Sequence, residues 1–261
     1  MPALASSTTR QRLRGLVAAL VLSLPASVVA AEGHLVLAGG GPTPAEVFER
    51  TLALSGGRRA IVAVLPQTMP NDTIADAAVA MWRTLGAAEV IKVSRTDAAA
   101  ARAALGRASL IWIPGGFPSH FMQTLAATPL AGIIGERFSS GVTIGGASAG
   151  AVAMSSTMLA DDVAPDGTPL AGPATVEGLG LWPEAIVSPH FTERRRLAPL
   201  IRIVRDHSNL IGIGLDEGTA VIVFNGAFDV LGRGTVSIVD AGRTEVRRLR
   251  SGAHFRYRAR Q

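Results

Sequence analysis

From residue 35 onwards, the chain alternates short apolar runs with longer segments of helical character. Four of the apolar runs are typical of buried strands, at residues 35–38, 60–65, 90–93 and 110–113. The segments between them predict helices, over residues 45–54, 72–85 and 97–105. Strands that alternate with helices build βαβ units, so this pattern predicts a parallel sheet covered on both faces.

The pattern changes beyond Val221. Two apolar runs, 221–224 and 228–231, flank Asn225-Gly226, and a third short run lies at residues 237–239. Asn-Gly between apolar runs is a strong hairpin signal. The expected fold is therefore α/β, a doubly wound, mostly parallel sheet with a small C-terminal antiparallel extension.

Residues 146–150 read Gly-Ala-Ser-Ala-Gly and follow an apolar stretch, 142–144. A Gly-x-Ser-x-Gly turn between a strand and a helix is the pattern of a nucleophile elbow, in which small neighbours allow a sharp turn that exposes the serine Oγ. We expect a small-residue helix over residues 149–158 after it. The same residues also suit a Gly/Ala-rich connection in which Ser148 caps a helix.

Two later strands end in groups that complement a serine. The apolar run 185–189 is followed by His190, and the run 211–215 is followed by Asp216 and Glu217. A serine needs a base, and an imidazole needs an orienting carboxylate. The chain order of serine, histidine and acid differs from that of the α/β-hydrolases. The residues alone do not separate Asp216 from Glu217.

These segments resemble the cyanophycinases, within the wider family of serine peptidases that includes aspartyl dipeptidase (peptidase E). The resemblance covers roughly residues 35 to 240. Its matching segments are Leu-Val-Leu-Ala-Gly-Gly-Gly at 35–41, Ile-Pro-Gly-Gly at 113–116, Gly-Gly-Ala-Ser-Ala-Gly-Ala at 145–151, Gly-Leu-Gly-Leu-Trp-Pro at 178–183, His-Phe at 190–191 with Arg194 and Arg196, and Gly-Ile-Gly-Leu-Asp-Glu-Gly-Thr-Ala at 212–220. With the strand–helix alternation, it implies a flavodoxin-like or class I glutamine-amidotransferase-like fold.

The resemblance also implies the roles of the site residues. Ser148 would be the nucleophile, His190 the general base and Glu217 the orienting carboxylate. The backbone N–H groups of Gly116 and Ala149 would form the oxyanion hole. A remoter option for the acid is the Asp161–Asp162 pair, because aspartyl dipeptidase draws its acid from the loop after the nucleophile helix.

Substrate binding is expected from three further residues. Arg194 and Arg196 follow the histidine at the start of a predicted helix that ends near Arg205, and a guanidinium suits a substrate carboxylate. The alternative is a solvated basic face. Phe117 follows the oxyanion glycines and is expected to line the cleft, with core packing as its alternative.

The chain departs from the family at two places in the substrate cleft. The family often has Gly-Gly-Asp-Gln where this chain has Phe117-Pro118 after the glycines. It often has Asp-Gln before the histidine, where this chain has Ser188-Pro189. These departures leave the catalytic groups intact, but they put cyanophycin in doubt as the substrate.

Residues 1–31 have the pattern of a signal peptide. Three arginines, at positions 10, 12 and 14, precede the apolar run 15–29. Its end overlaps the small residues at 28–31, which offer a cleavage site. A membrane anchor is the alternative, but the run is shorter than the ~18 residues of a spanning helix and contains Pro25. We expect an exported protein, periplasmic or secreted, without a stable membrane span after cleavage.

Composition and charge narrow the function further. With 261 residues and 48% hydrophobic composition, a single domain is expected over residues 32–242, followed by a basic tail over 243–261. The tail carries seven arginines and one glutamate and is expected to be solvated or partly disordered. The net charge of +5 arises from the two ends, so residues 32–242 carry −4, and nucleic-acid binding is not expected.

The chain contains no cysteine, and its five histidines are scattered without an H-x-x-x-H pair. A cysteine nucleophile is therefore excluded, and neither a metal site nor a cofactor is expected.

The sequence therefore predicts an exported, cyanophycinase-like serine peptidase that hydrolyses Asp-X bonds, with β-aspartyl-arginine as one candidate, through an acyl-enzyme. Two alternatives stay open: a non-catalytic binding protein of the same fold, and a serine amidase or esterase that acts on a small molecule. The expected partner is a peptide substrate, and a homodimer is left open.

Overall fold

The structure is a computed structural model that describes residues 32–161, 163–172, 174–243 and 245–257. The segment predicted as a signal peptide lies outside the described residues. Within them, no helix combines the length and the apolar character that crossing a membrane requires.

The described elements follow the predicted alternation. The helices are α1 Ala45–Leu54, α2 Thr73–Thr84, α3 Ala98–Arg107, α4 Pro118–Ala126, α5 Leu130–Ser139, α6 Ala149–Val152 and α7 Leu197–Asp206, with 3-10 turns at Gly57–Arg59 and Pro66–Thr68. The strands are β1 Leu35–Ala38, β2 Ile61–Val64, β3 Glu89–Lys92, β4 Leu110–Ile113, β5 Thr143–Ala147, β6 Thr157–Leu159, β7 Thr175–Glu177, β8 Ala185–Pro189, β9 Ile211–Leu215, β10 Thr219–Phe224, β11 Ala227–Gly232, β12 Val236–Asp240, β13 Arg247–Leu249 and β14 His254–Arg256.

The main sheet has eight strands in the order β14-β11-β10-β1-β5-β4-β2-β3. Its β1, β5, β4, β2 and β3 strands are parallel, whereas β10, β11 and β14 are antiparallel. The hairpin at Asn225-Gly226 joins β10 to β11, as the sequence predicts. The predicted fold class, a mostly parallel α/β sheet with antiparallel additions, is confirmed.

A second sheet has the order β13-β12-β9-β8, with β8 and β9 parallel to each other. One core cluster contains Ile144 and Leu35 of the main sheet together with Val187 and Ile213 of the second sheet. Both sheets therefore contribute to one apolar core. On the outer side of this sheet α7 packs against β9 and β12, and Ile186 of β8 joins Leu200 of α7 in a smaller cluster.

Successive side chains of β4 point to opposite faces of the main sheet, and both faces are buried. Ile111 and Ile113 belong to the large core cluster, whereas Leu110 and Trp112 pack with Trp82 of α2 on the opposite face. Residues buried on both faces of a central parallel strand read as a continuous apolar run, which is why the sequence shows this strand so clearly.

The helix after Ser148 is shorter than predicted. It ends at Val152 instead of Met158, and Thr157–Leu159 forms β6. The chain after the helix bonds to a later segment instead: Leu179 N–H donates to Ala153 O, and Trp182 N–H donates to Met154 O. Tertiary pairing of the backbone has overridden the helical propensity of the small residues.

The basic C-terminal segment is part of the fold along its described length, contrary to the expectation of a solvated or partly disordered tail. Its β13 strand pairs with β12, and β14 pairs with β11. Leu249, Phe255 and Tyr257 pack against the core, while Arg247 lies over the Phe255 ring at 5.5 Å. The apolar residues between the arginines therefore attach this segment, and arginine count alone does not reveal that.

Candidate functional site

The candidate site forms where strand ends of the two sheets meet. Ser148 directly follows β5 of the main sheet, and His190 directly follows β8 of the second sheet. The end of β1 bridges them, because Ala38 O accepts the N–H of Ser148 at 2.9 Å and Gly39 O accepts that of His190 at 3.0 Å. Glu217 lies just past the end of β9, the parallel neighbour of β8.

Ser148 lies in a strained turn, as the elbow pattern predicts. Its backbone has φ 51° and ψ −110°, a region that non-glycine residues rarely adopt and that costs of order 1–3 kcal/mol. The turn brings α6 against the end of β4, so that a Cβ at Gly150 would overlap the carbonyl oxygen of Ile113. Gly150, the second glycine of the motif, is therefore required for this close approach.

A chain of hydrogen bonds joins three predicted residues. Ser148 Oγ lies 2.8 Å from His190 Nε2, and His190 Nδ1 lies 2.6 Å from Glu217 Oε1. The carboxylate favours a proton on Nδ1, which leaves Nε2 free to accept the serine proton. His190 is 8% exposed, so the imidazole is held largely out of water.

Asp216 faces away from the histidine. One of its oxygens accepts the Thr192 N–H at 3.1 Å and the Thr192 hydroxyl at 2.6 Å, and the other accepts the Thr235 N–H at 3.0 Å. This buried carboxylate ties the turn after His190 to the end of β9. The structure thus brings Glu217, and not Asp216, to the imidazole.

The remoter acid, Asp161, has another partner. Its Oδ2 accepts the Ser119 N–H at 2.8 Å, and its own N–H donates to Ser119 Oγ at 3.0 Å. Asp161 therefore binds the first turn of α4. Asp162 lies outside the described residues.

The turn after His190 is built by contacts that the sequence did not reveal. His190 has φ 48°, and its carbonyl accepts the N–H of Arg194 at 2.9 Å. Glu193 accepts the backbone N–H of Glu217 at 3.2 Å. Arg194 to Arg196 belong to this turn and precede α7, so the prediction that they begin the helix is wrong.

A glycine turn at residues 39–41 lies against the imidazole and its acid. A Cβ at Gly40 would lie 2.5 Å from His190 Cε1, and one at Gly41 would overlap the Glu217 carboxylate. Side chains at these two positions would therefore displace the histidine or its acid.

The two residues expected to bind an oxyanion lie beside Ser148. Ala149 is the first residue of α6, where an N–H group has no partner within its own helix. Gly116 has φ 147°, in the region that favours glycine, and a Cβ there would overlap Thr68 O. The neighbouring Phe117 N–H donates to the same Thr68 oxygen at 2.9 Å, which fixes this loop.

A cavity of about 310 Å³ opens beside Ser148. It is lined by seven of the predicted site residues: Gly116, Phe117, Ser148, Ala149, His190, Arg194 and Arg196. It is also lined by residues that the sequence did not single out for this role, among them Pro118, Val152, Leu159, Val163 and Pro189. These come from separate segments, and nothing in local sequence indicates that they share a cavity.

The profile of peptidase family S51 matches residues 35–231. The chain belongs to this family. It is a serine-type peptidase, as the sequence predicted.

Its relatives in the family include cyanophycinases. The cyanophycinase of Geminocystis herdmanii (strain PCC 6308) is 32% identical over 203 residues, which cover 75% of each chain. That of Trichormus variabilis (strain ATCC 29413 / PCC 7937) is 33% identical over 206 residues, covering 75% of this chain and 68% of that one.

Solved structures show the same fold. A peptidase from an acI-B1 actinobacterium has a TM-score of 0.65 at 23% identity, over 88% of this chain and 98% of that one. A putative peptidase E from Listeria monocytogenes EGD-e has a TM-score of 0.61 at 17% identity, over 78% of this chain and all of that one.

Proposed function

We propose that this serine peptidase hydrolyses Asp-X peptide bonds through an acyl-enzyme, with Ser148 as nucleophile, His190 as general base and Glu217 as orienting acid. The hydrogen-bonded chain from Ser148 through His190 to Glu217 is the observation that carries the proposal. A serine, a base within reach and a third group that orients the base are the requirements of nucleophilic acyl transfer.

The geometry supports the following acylation step. His190 Nε2 accepts the Ser148 hydroxyl proton while Oγ bonds to the substrate carbonyl carbon. The N–H groups of Gly116 and Ala149 donate to the resulting oxyanion, a kind of contact that is typically worth about 10²–10³ in kcat. Glu217 stabilises the imidazolium, which then protonates the leaving amine as the C–N bond breaks. Water next attacks the acyl-enzyme, again with His190 as base, and releases the acid and free Ser148.

The preference for aspartyl substrates rests on the two arginines in the cavity. Arg194 and Arg196 line it together with Ser148. A guanidinium binds a carboxylate through two parallel N–H···O bonds, so a side-chain or terminal carboxylate near the scissile bond would be recognised here. Phe117 lines the same cavity, as expected of a residue that contacts substrate.

Substrate profiling with the Ser148→Ala variant tests the proposal. Wild type should cleave α- or β-aspartyl dipeptides and react with a fluorophosphonate probe. The Ser148→Ala variant should do neither, with kcat lower by about 10⁶-fold, as in subtilisin nucleophile variants. Retention of more than a few per cent of wild-type turnover would contradict the assignment of Ser148. Labelling without dipeptide cleavage would favour the amidase or esterase alternative.

We also propose that the protein is exported. Support comes from the sequence of residues 1–31, with its arginines, its apolar run and its small residues at 28–31. Cleavage after Ala30 or Ala31 would leave β1, which begins at Leu35, intact. Intact mass spectrometry of the protein from periplasm or medium should show an N-terminus at residue 31 or 32. A full-length mass in the membrane fraction would contradict this proposal.

A further inference from the structure

One side of the cavity beside Ser148 is an apolar wall. It is formed by Phe117, Pro118, Val152, Leu159, Ala160, Val163 and Pro189. None of these side chains carries a hydrogen-bond donor or acceptor. The two prolines also lack a backbone N–H, and the N–H of Phe117 is already donated to Thr68 O at 2.9 Å. The wall therefore offers no side-chain partner to a polar group of the substrate.

Among the described lining residues, Asp161 is the acid on this side. Its Oδ2 already accepts the Ser119 N–H at 2.8 Å, in the first turn of α4. A negative charge in that position is favoured by the helix N-terminus and by this hydrogen bond. Asp161 is therefore engaged in holding α4 to the loop after β6.

Besides Ser148 and His190, two cationic residues, Arg194 and Arg196, line the same space of about 310 Å³. Their charges act over about one Debye length, ~8 Å at physiological salt. A positive charge on the side chain of X would be repelled by them. It would also lose its hydration at the apolar wall without gaining a side-chain partner there.

We propose that the residue X of the Asp-X substrate is apolar, of the size of valine to phenylalanine, and not basic. The arginines bind a carboxylate, and the apolar wall takes the side chain of X. This inference rests on the proposed Asp-X activity and deepens it by naming the substrate class. The volume lies at the small end of ligand pockets and suits one or two residues, so dipeptides or peptide ends are the expected substrates.

The test compares dipeptides that differ only in X. We would measure kcat/KM for Asp-Leu, Asp-citrulline and Asp-Arg, each with an α and a β linkage. Citrulline has the shape of arginine without its charge. Asp-Leu should exceed Asp-Arg by about tenfold or more, with citrulline between them, because only arginine places a positive charge in the side chain of X.

The outcomes separate the two proposals. A kcat/KM for Asp-Arg equal to or above that for Asp-Leu overturns the apolar assignment and leaves the Asp-X activity standing. If none of the six dipeptides is cleaved while a fluorophosphonate still labels Ser148, the Asp-X activity itself is rejected, and the inference is rejected with it.

A matched pair of variants tests whether the wall contacts X. Val163 lines the cavity and is 39% exposed, whereas Leu170 lies in the same loop, outside the lining, and is 47% exposed. Val163→Glu and Leu170→Glu add the same charge at similar exposure.

Val163→Glu should raise the ratio of Asp-Arg to Asp-Leu cleavage by about tenfold, because the new carboxylate pairs with the guanidinium of the substrate arginine. Leu170→Glu should leave the ratio within a factor of about two, since long-range charge effects are screened. Equal shifts in both variants would overturn the contact between this wall and X.

Discussion

Asp216 and Glu217 are neighbours in the chain, and alternation along the strand end sends their side chains to opposite sides. Glu217 reaches His190, while Asp216 accepts three hydrogen bonds from Thr192 and Thr235. The residues alone could predict that one of them orients the histidine, but not which one. The choice depends on the turn at 190–193, whose path is set by long-range contacts.

Two variants should separate these roles. Glu217→Gln should lower kcat by up to about 10⁴-fold, because the amide favours the wrong imidazole tautomer and cannot stabilise the imidazolium. Asp216→Asn should lower kcat less than Glu217→Gln does, and it should lower the free energy of unfolding more. Its amide can present an N–H to the Thr235 N–H or the Thr192 N–H, and an unsatisfied buried group costs about 1–3 kcal/mol. Steady-state kinetics and urea denaturation of both variants provide the measurement. A larger kcat loss in Asp216→Asn than in Glu217→Gln would reverse the assignment.

Gly40 lies directly against the imidazole of His190. Gly40→Ala should strongly reduce kcat, because the new Cβ would lie 2.5 Å from His190 Cε1. Gly252→Ala is the matched control: its φ of 84° is close to the 93° of Gly40, but a Cβ there meets nothing within 4 Å. Both variants should lose about 1 kcal/mol or more of stability from the positive φ. Only Gly40→Ala should also lose activity, and equal kinetic losses in the two would show that backbone strain, not contact with the imidazole, is the cause.

At the scale of elements, the sequence predicts well where local and tertiary preferences agree. The bounds of α1 and β4 are those predicted, because apolar periodicity and burial point to the same assignment. The helix after Ser148 was predicted too long, since its small residues fit a helix but the backbone of Ala153 and Met154 pairs with residues 179–182. Such pairing joins positions far apart in sequence, and no local window contains it.

The C-terminal strand β14 is attached to the main sheet through β11, and Phe255 packs against the core. The Phe255 ring lies 5.3 Å from the Phe228 ring, whose side chain is fully buried. Phe255→Ala should therefore lower the free energy of unfolding by about 2 kcal/mol, less than the 3–5 kcal/mol of a fully buried phenylalanine. Arg250→Ala, at an exposed position between the two strands, should change it by no more than about 0.5 kcal/mol. Urea denaturation of the two variants provides the comparison. An unchanged midpoint for Phe255→Ala would show that the C-terminal segment is not packed on the core.

At the scale of the whole molecule, the sequence predicts that the chemical groups lie at strand ends, and they do. It does not predict that β8 and β9 belong to a second sheet, because alternation of strands and helices does not say which strands pair. The site therefore lies between two sheets, joined by the backbone of Ala38 and Gly39. The apolar wall of the cavity is likewise visible only after folding, since its residues come from separate segments.

The stability of the whole molecule should decrease as the pH is lowered through a window set by His34. Burial, and next the positive charge of Arg50, lower the pKa of His34 below its usual value of 6.5. Its ring stacks on Phe224 with centroids 4.4 Å apart. The folded state thus favours the neutral imidazole, while the unfolded chain takes up a proton below about pH 6.5. The unfolded state then binds more protons, so this contribution to stability is present above the unfolded pKa and is lost as pH falls.

Comparison with His34→Gln isolates this contribution. Asp72, whose pKa is lowered by hydrogen bonds from Lys92 and Arg95, contributes stability that is lost only near and below its usual pKa of 3.8, so its window lies at more acidic pH. From about pH 7.5 down to about pH 5.5, one unit either side of the usual histidine pKa, the free energy of unfolding of wild type should decrease more than that of His34→Gln. Urea denaturation at several pH values in this range measures both slopes. Parallel slopes would mean that protonation of His34 costs the folded state nothing, and that its burial beside Phe224 and Arg50 is tolerated equally in both charge states.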